Sequence, residues 1–355
     1  MKKVGIITMH YANNYGAVLQ CYALRKMLNS FDNTRADVLN FISAKHPRLP
    51  VYEDFAINKL NLERAKLFDN FREDSIQIIA PPFSELTPET YGEYDYFIAG
   101  SDQIWNPRFT LRDFYFLDFA PEKFVKIAYA PSIARSVADI SKSDIETFKK
   151  HIPRFDYLSV REKTHEQFIQ QFTDKKVSTV LDPTMLLTAA DYEEIITAPV
   201  ENEKYILLYF LNHDFSAPAI LSFANRISRK FNLKVKHSFV EIPPNTFKNN
   251  AESFRFNTGP KEFLGLIKNA EMVVTNSFHG TVFSIIFGKP FYSFVVKSMS
   301  ARMNDLLGEF GLEKRIVDGY KPDKNIDLNV DFSYAHDKLE ELRKNSTAFL
   351  KNALK

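Results

Sequence analysis

The sequence predicts an α/β protein with two doubly wound parallel sheets and a C-terminal helix. Short apolar runs rich in β-branched and aromatic residues alternate with segments of helical period, a pattern typical of parallel sheets covered by helices. This alternation of strands and helices is interrupted at residues 182–184, Asp-Pro-Thr, and again at residues 198–202, Ala-Pro-Val-Glu-Asn, after which it resumes. Residues 337–353 have the amphipathic, charge-rich pattern of one further helix.

The elements of both predicted sheets follow one another along the chain. In the helices, apolar residues recur three and four positions apart, whereas the strands are short apolar runs. In the first half we predict strands at residues 4–8, 38–42, 94–99, 125–129, 157–160 and 177–181, and helices at 17–28, 58–72 and 143–151. In the second half we predict strands at residues 205–211, 235–239, 272–275 and 291–296, and helices at 217–231, 261–269 and 278–287.

The chain length agrees with a division into two domains. At roughly 100–200 residues per domain, 355 residues favour two domains over one. We place the N-terminal domain at residues 1–190 and the C-terminal domain at residues 198–332. Residues 333–355 are assigned to the terminal helix, which we expect to pack across the domain junction.

Charge and cysteine content exclude several classes of protein. Lysine and arginine total 46 and aspartate and glutamate total 44, so the net charge of +2 gives no basic footprint for nucleic acid. The single cysteine, Cys21, excludes a disulfide framework within one chain and favours a reducing compartment. No apolar run approaches the ~18 residues of a membrane span, and the run at residues 4–7 is too short for a secretory signal. We therefore expect a cytoplasmic protein without an integral membrane segment.

Ligands of doubly wound domains bind beyond the carboxyl ends of the strands. Five polar segments of the sequence follow predicted strands. We therefore expect these segments to line a cleft in which the two domains face each other. They are residues 8–17, 99–107, 128–134, 157–163 and 273–281.

The first segment joins a predicted strand to a helix through Asn13, Asn14 and Gly16. Either asparagine can cap the helix, and the glycine allows the backbone to approach a ligand closely. A capped turn without a ligand is the alternative interpretation. The segment carries neither the dinucleotide fingerprint nor the phosphate-binding P-loop.

The second segment combines polar side chains with the only tryptophan, Trp105. The polar residues are Ser101, Asp102, Gln103 and Asn106. A carboxylate and amides beside an indole suit a sugar ring, which offers hydroxyl groups and a flat apolar face. The alternative is an Asx turn over a tryptophan that belongs to the core.

The third and fourth segments contribute Ser132, Ser159 and Arg161. Ser132 offers a hydrogen-bond donor among small residues that permit close approach of a ligand. Ser159 and Arg161 lie on one face of a strand as it ends. The Arg161 guanidinium can hold a carboxylate or phosphate through two parallel hydrogen bonds, although a structural ion pair is the alternative.

The fifth segment contains Asn276, Ser277, His279 and Gly280. An apolar strand leads into this polar turn, and a helix follows directly. His279 therefore falls in the first turn of the helix, where free backbone N–H groups and the helix dipole favour an anion. A histidine at this position can protonate a substrate or bind a phosphate group.

Four motifs in these segments occur in order along the chain. They are Asn-Asn-Tyr-Gly-Ala-Val-Leu-Gln at residues 13–20, Gly-Ser-Asp-Gln-Ile-Trp-Asn at 100–106, Ser-Val-Arg-Glu at 159–162 and Asn-Ser-Phe-His-Gly at 276–280. Together they resemble the polysaccharide pyruvyl transferase family, and the resemblance runs from about residue 4 to residue 315. The resemblance implies two Rossmann-like domains that face a cleft in a GT-B-like arrangement.

The same resemblance implies a reaction and its partners. Members of the family transfer a pyruvyl group from phosphoenolpyruvate onto two hydroxyls of a sugar, in a polysaccharide or its lipid-linked precursor, and release phosphate. Arg161 matches the arginine at the phosphoenolpyruvate site, His279 matches the C-terminal histidine, and Asp102 is the candidate base for the sugar hydroxyl. We expect no metal and no cofactor, because no metal-ligand spacing occurs. A lipid-linked acceptor implies peripheral association with the inner face of the membrane.

The sequence departs from the family pattern next to the histidine. Some members carry an arginine two residues before it, whereas Ser277 occupies that position here. A nearby basic residue, Arg302 or Lys297, would then supply the second cation for the donor. Two alternatives stay open: a GT-B-type glycosyltransferase that uses a nucleotide sugar, and a non-catalytic protein that binds a sugar or an anion on the same scaffold.

Overall fold

The computed structural model describes residues 1–41, 55–83, 92–107, 112–197, 203–211, 217–239, 258–295, 300–318 and 325–355. In these residues the chain forms two parallel β-sheets with flanking helices, followed by a C-terminal helix. The predicted fold class is therefore confirmed. None of the described helices is both long and apolar enough to cross a membrane.

The first sheet has seven parallel strands in the order β3-β2-β1-β4-β5-β6-β7. The strands are β1 (Lys2–Ile7), β2 (Thr34–Phe41), β3 (Ile79–Phe83), β4 (Tyr96–Ala99), β5 (Val125–Ala128), β6 (Tyr157–Val160) and β7 (Val177–Thr179). The helices are α1 (Tyr15–Asn29), α2 (Phe55–Phe71), α3 (Arg112–Tyr115), α4 (Lys142–His151), α5 (Lys163–Gln170) and α6 (Ala189–Glu193). Successive residues of β4, Phe97 and Ile98, belong to two separate hydrophobic cores, as expected for a parallel sheet covered on both faces.

Strand β3 was not among the predicted strands. It contains Pro81 and Pro82, which lack the N–H that a strand donates to its neighbour. The structure places β3 at the edge of the sheet beside β2, where one side of the strand needs no partner. Prolines of this kind obscure an edge strand in the sequence because they resemble a turn.

The second sheet has five parallel strands in the order β12-β11-β10-β8-β9. The strands are β8 (Tyr205–Phe210), β9 (Lys234–Phe239), β10 (Met272–Thr275), β11 (Phe291–Val295) and β12 (Ile316–Asp318). The helices are α7 (Ala217–Phe231), α8 (Pro260–Asn269), α9 (Phe278–Ile286), α10 (Ser300–Glu309) and the C-terminal α11 (Ser333–Ala353). Helix α10 and strand β12 extend this half beyond the predicted elements.

Each sheet has a point at which the strand order reverses. In the first sheet it lies between β1 and β4, and in the second between β10 and β8. The chain leaves neighbouring strands toward opposite faces at such a point, which opens a crevice at their carboxyl ends. The segments after these four strands therefore have the position expected of a binding site.

The two halves share one hydrophobic core at their junction. Tyr15 at the start of α1 stacks on Phe263 of α8, with ring centroids 4.2 Å apart and an interplanar angle of 3°. The Tyr15 hydroxyl donates a hydrogen bond to the carbonyl of Thr258 over 2.9 Å. These contacts bring the N-terminus of α1 against the second domain.

Helix α11 contacts both halves of the molecule. The backbone N–H of Leu181 donates to Ser346 Oγ over 2.9 Å, and Arg343 donates to the carbonyls of Met185 and Leu187. At the other end of the helix, His336 Nε2 lies 2.9 Å from the carbonyl oxygen of Ile285 in α9. The helix therefore links the end of the first domain to the second.

Candidate functional site

The turn after β1 is held by a partly buried cation. Arg72 donates hydrogen bonds of 2.7–3.0 Å to the carbonyls of residues 10–12, and one of 2.8 Å to Asn13 Oδ1. The Asn14 side chain accepts a hydrogen bond from the N–H of Ala17, 3.3 Å away, and caps α1. Both predicted asparagines lie at the helix start, and each uses its side-chain oxygen within the protein.

Gly16 lies against the imidazole ring of His279, which belongs to the other domain. A Cβ at Gly16 would come within 2.0 Å of His279 Nδ1, and within 2.5 and 2.6 Å of Cγ and Cε1. Because Cγ and Cε1, the two ring neighbours of Nδ1, would be almost as close as Nδ1 itself, the Cβ would lie above the ring face near Nδ1. A larger residue at this position would therefore displace the histidine.

The turn after β4 places Ser101 and Asp102 in the crevice. The Ser101 hydroxyl donates to the carbonyl of Ala130 over 2.7 Å, and its N–H donates to Gln20 Oε1 over 3.1 Å. Asp102 adopts a φ of +67°, in the left-handed region that aspartate tolerates better than most residues. Its carboxylate oxygen Oδ1 lies 3.7 Å from Arg161 Nη1.

Trp105 does not present its indole to a ligand, contrary to one of our two interpretations. The residue is 2% exposed and stacks on Phe116, with ring centroids 5.3 Å apart. Its Nε1–H donates to the carbonyl of Tyr115. The neighbouring Asn106 is also buried and donates to Gln103 Oε1 over 2.8 Å. The core-tryptophan alternative therefore describes this segment.

Arg161, which follows β6, is buried within a group of carboxylates. Its Nη1 donates to Asp182 Oδ2 over 2.9 Å, and its Nε donates to Glu162 Oε1 over 3.0 Å. The guanidinium carbon lies 4.2 Å from the centre of the Phe278 ring. These ion pairs occupy two of the three guanidinium nitrogens, which the sequence pattern assigns to a ligand. The remaining nitrogen, Nη2, is buried and makes no hydrogen bond with a described residue.

The two predicted serines of the first domain take different positions. Ser132 donates to Glu162 Oε1 over 2.7 Å, which connects it to the Arg161 group. Ser159 is fully buried and bridges two strand ends, because it donates to the carbonyl of Ala128 and accepts from the N–H of Ala130. Ser159 therefore joins β6 to the turn after β5.

Asp182 is a buried carboxylate that sequence reasoning did not include in the site. Its Oδ2 lies 2.9 Å from Arg161 Nη1, 3.4 Å from Ser101 Oγ and 3.6 Å from His279 Nε2. Burial raises the pKa of Asp182, but the nearby His279 imidazole and Arg161 guanidinium outweigh burial and hold that pKa below its usual value. The strand-end rule could have identified Asp182, since it follows the apolar run at residues 177–181 directly.

The turn after β10 is organised by short polar contacts. Ser277 Oγ accepts a hydrogen bond from the N–H of Gly280 and caps α9. Asn276 exchanges two hydrogen bonds of 2.7 and 2.9 Å with the backbone of Leu211 beyond β8. Gly280 permits close packing, because a Cβ there would lie 2.5 Å from Thr275 Oγ1. Three of the four predicted residues thus shape the turn that presents His279.

Hydrogen-bond donors without an acceptor occur in the same region. Among the described residues, the buried atoms Arg161 Nη2 and Tyr209 Oη form no hydrogen bond, whereas His279 Nε2 faces Asp182 Oδ2, 3.6 Å away. Tyr209 is the last residue but one of the buried strand β8, and burial raises the pKa of its hydroxyl, which keeps the proton in place. Buried donors in native proteins are usually paired, so unpaired donors around one crevice indicate a place for an anionic or oxygen-rich ligand.

A cavity of about 260 Å³ opens beside Arg161, where the first domain meets α10 and α11. Phe278 and Leu306 contribute apolar surface, and Arg302, Asp305 and Asn345 contribute polar groups. The Arg302 guanidinium lies 5.7 Å from the centre of the Phe278 ring, on the same side chain that Arg161 contacts. Lys297, the other candidate cation, lies outside the described residues.

In the described part of the chain, no group of three or more histidine, cysteine, aspartate or glutamate side chains is arranged to hold a metal ion.

Comparisons with known proteins show the family and the fold of the chain. The family model of polysaccharide pyruvyl transferase matches residues 14–298. The fold resembles UDP-N-acetylglucosamine 2-epimerase from Rickettsia bellii, with a TM-score of 0.53 and 12% identity over 100% of this chain and 97% of that chain. It also resembles UDP-GlcNAc 2-epimerase from Methanocaldococcus jannaschii, solved with UDP-GlcNAc and UDP, with a TM-score of 0.51 and 14% identity over 97% and 99% of the two chains.

At such low identity the two epimerases show the fold alone, and the chain has the GT-B-like two-domain architecture that the resemblance implies. No curated protein sequence matches the chain.

Proposed function

Because the chain belongs to the polysaccharide pyruvyl transferase family, and is thus a transferase, we propose that it moves the pyruvyl group of phosphoenolpyruvate onto two hydroxyls of a sugar. The sugar would belong to a polysaccharide or its lipid-linked precursor. The observation that supports this proposal best is the group formed by Arg161, Asp182 and His279, which joins both domains at the carboxyl ends of their strands.

The reaction requires three proton movements and one C–O cleavage. A proton adds to C3 of phosphoenolpyruvate while the first sugar hydroxyl attacks C2 and loses its own proton. The bond between C2 and the phosphate oxygen then breaks, and the second hydroxyl bonds to C2 and releases its proton. The products are a cyclic ketal and inorganic phosphate.

The donor is a multiply charged anion, so its site needs cations and backbone N–H groups. We assign these roles to Arg161 Nη2, to Arg302 and to the N-terminus of α9, where His279 lies. The buried carboxylates Asp182 and Glu162 already neutralise part of the positive charge, so Arg302 is needed in addition to Arg161. Arg302 would thus take the place of the arginine that Ser277 replaces.

The acceptor sugar would occupy the cavity beside Arg161. A volume of about 260 Å³ is near the lower end of small-ligand pockets, of the order of 300 Å³, and is enough for a single sugar ring. Phe278 and Leu306 can contact the apolar face of a ring, and Asp305 and Asn345 can bond its hydroxyls. Asp102, which lies 3.7 Å from Arg161 in the neighbouring crevice, would act as the base for a hydroxyl.

The test is phosphate release from phosphoenolpyruvate across a panel of sugar acceptors, with UDP- and GDP-sugars as competing donors. We expect acceptor-dependent phosphate release and a higher melting temperature with phosphoenolpyruvate, because a ligand of the folded state stabilises it. Transfer from a nucleotide sugar without phosphate release from phosphoenolpyruvate would establish the glycosyltransferase alternative. Binding of an anion without turnover would establish a non-catalytic protein.

Replacement of Arg161 by lysine should lower kcat/KM for phosphoenolpyruvate by ~10²-fold, the scale of a misplaced catalytic group. The three nitrogens of the Arg161 guanidinium lie in one fixed plane, so that they can bond Glu162, Asp182 and phosphoenolpyruvate at the same time. The single ammonium nitrogen of a lysine cannot contact all three groups. Steady-state kinetics would measure the loss, and Arg154→Lys is the matched control because Arg154 pairs with Asp118 away from the crevice. Near-normal kcat/KM in Arg161→Lys would show that Arg161 is purely structural.

A further inference from the structure

We propose that Asp182 is a positioning residue that fixes the imidazole of His279 so that Nδ1 is the ring nitrogen facing the substrate. The inference names the acting atom of the site proposed above, and to that extent it depends on the proposed function. It also makes a statement about the resting protein that can be tested without any substrate.

The first argument is the rigid placement of the Asp182 carboxylate. Oδ1 accepts hydrogen bonds from the N–H and the hydroxyl of Thr184, over 3.0 and 2.7 Å. Oδ2 accepts from Arg161 Nη1 over 2.9 Å, so both oxygens are held from opposite sides. Because the side chain is fully buried, the carboxylate has no other orientation available. Oδ2 therefore faces His279 Nε2, 3.6 Å away, as a fixed group.

The second argument is the charge of that oxygen. Asp182 is ionised at neutral pH, because His279 and Arg161 hold its pKa below the usual value despite burial. An ionised carboxylate only accepts hydrogen bonds, so the ring nitrogen opposite Oδ2 is stabilised when it carries a proton. In neutral His279 this arrangement favours the proton on Nε2. Nδ1 then keeps its lone pair.

The third argument concerns the other edge of the ring. Gly16 packs against the ring face near Nδ1 and not against the edge of the ring. Nδ1 forms no hydrogen bond with a described residue. The crevice holds one group of interacting charges, formed by Asp182, Arg161, Glu162, Asp102 and Arg302. Among them, Asp182 lies 3.6 Å from Nε2.

This assignment gives His279 one defined route for a proton. As a neutral ring it accepts a proton at Nδ1 from a hydroxyl, and as an imidazolium it donates a proton from Nδ1. Meanwhile Nε2 keeps its proton and faces Asp182. The role matches the general arrangement in which a third group orients a catalytic base.

The first test is long-range ¹H–¹⁵N NMR of the ¹⁵N-histidine protein at alkaline pH, which distinguishes the two neutral tautomers. The chain has eight histidines, so the signals of His279 are identified by their loss in His279→Gln. We expect the Nε2–H tautomer in the unaltered protein and a mixture of tautomers in Asp182→Asn. The Nδ1–H tautomer in the unaltered protein would overturn the proposal, whatever the behaviour of Asp182→Asn.

The matched control is Asp191→Asn. Like Asp182, Asp191 accepts hydrogen bonds from the N–H and the hydroxyl of one threonine, Thr188, but it does not contact His279. We expect the tautomer of His279 to stay unchanged in this variant. The same change in Asp191→Asn and Asp182→Asn would contradict a specific role for Asp182.

The second test is a double-mutant comparison of phosphate release. Asp182→Asn should lower kcat by ~10²-fold alone, and much less when His279 is already glutamine, because residues that act as a unit are not additive. A purely structural Asp182 would instead cost the same factor in both backgrounds. If the tautomer agrees but no protein releases phosphate from phosphoenolpyruvate, the positioning role holds and the proposed reaction is wrong.

Discussion

At the residue scale, Glu162 shows how the site keeps a buried carboxylate charged. Its oxygens accept hydrogen bonds from Arg161 Nε and Ser132 Oγ, over 3.0 and 2.7 Å, and lie 3.1 Å from His165 Nδ1. Burial raises the pKa of Glu162, but Arg161 and His165 outweigh it and lower that pKa to about 2. Burial conversely lowers the pKa of His165, and the hydrogen bond to Glu162 raises it above its usual value.

Glu162→Gln should remove part of the acid sensitivity of the fold. A carboxyl whose folded pKa is lowered from 4.5 to about 2 stabilises the protein above pH 4.5, and this contribution of about 3 kcal/mol is lost as pH falls toward 2. The free energy of unfolding by urea, measured over that pH window, should therefore fall less steeply in Glu162→Gln than in the unaltered protein. Glu146→Gln, at an exposed pair with Lys149, is the control. Parallel pH curves for all three proteins would contradict the assignment.

At the scale of elements, the site is formed where the N-termini of α1 and α9 meet. Asn14 caps the first helix and Ser277 caps the second, so each helix begins at a defined residue. Gly16 and His279 lie one turn or less inside these helices and contact each other. The geometry of His279 therefore depends on a residue of the other domain.

Gly16→Ala should destabilise the protein by roughly 1–3 kcal/mol, because the new Cβ would come within 2.0 Å of the imidazole. The same substitution should be neutral or stabilising in a His279→Ala background, where the clash is absent and alanine favours the helix by ~0.5–1 kcal/mol. Chemical unfolding of the unaltered protein, the two single variants and the double variant measures the free-energy cost of Gly16→Ala in each background. An equal cost of Gly16→Ala in the two backgrounds would show that the contact is not the cause.

Sequence patterns predict most of the strands, although not β3 or β12, and the polar turns after them, because burial and helical period are local properties. The structure accordingly brings Ser101, Arg161 and His279 around one carboxylate. The sequence pattern assigns that carboxylate, Asp182, only to a domain boundary, because β7 is three residues long and because the approach of Asp182 to His279 depends on how the domains pack. For Trp105, the sequence could not decide whether the indole faces a ligand or the core, because that direction is set by α3 and α4.

At the scale of the whole molecule, helix α11 stabilises the end of the first domain from the far end of the chain. Arg343 donates to the carbonyls of Met185 and Leu187, over 3.0 and 3.2 Å, and is largely buried. Asp182 belongs to the same short segment between β7 and α6. The terminal helix therefore supports the chain segment that holds the buried carboxylate.

Arg343→Ala should lower the free energy of unfolding by about 1–3 kcal/mol, because two carbonyls lose their donor. It should also reduce activity, since the segment that carries Asp182 becomes less rigid. Thermal unfolding and phosphate release would measure the two effects. The exposed neighbour Lys344, changed to alanine, is the control. Unchanged stability in Arg343→Ala would mean that α11 contributes only through its apolar contacts.

The contacts of Tyr15 and Ser346 also determine when the molecule can finish folding during its synthesis. Tyr15 is made among the first residues, yet its partners Thr258 and Phe263 follow more than two hundred residues later. Leu181 likewise precedes its partner Ser346 by 165 residues. While only the first domain has been synthesised, the nascent chain must therefore leave aromatic surface exposed on the ribosome. Chaperones bind such surface. The crevice between the two domains can therefore form only after His279 and the residues around it have followed the first domain.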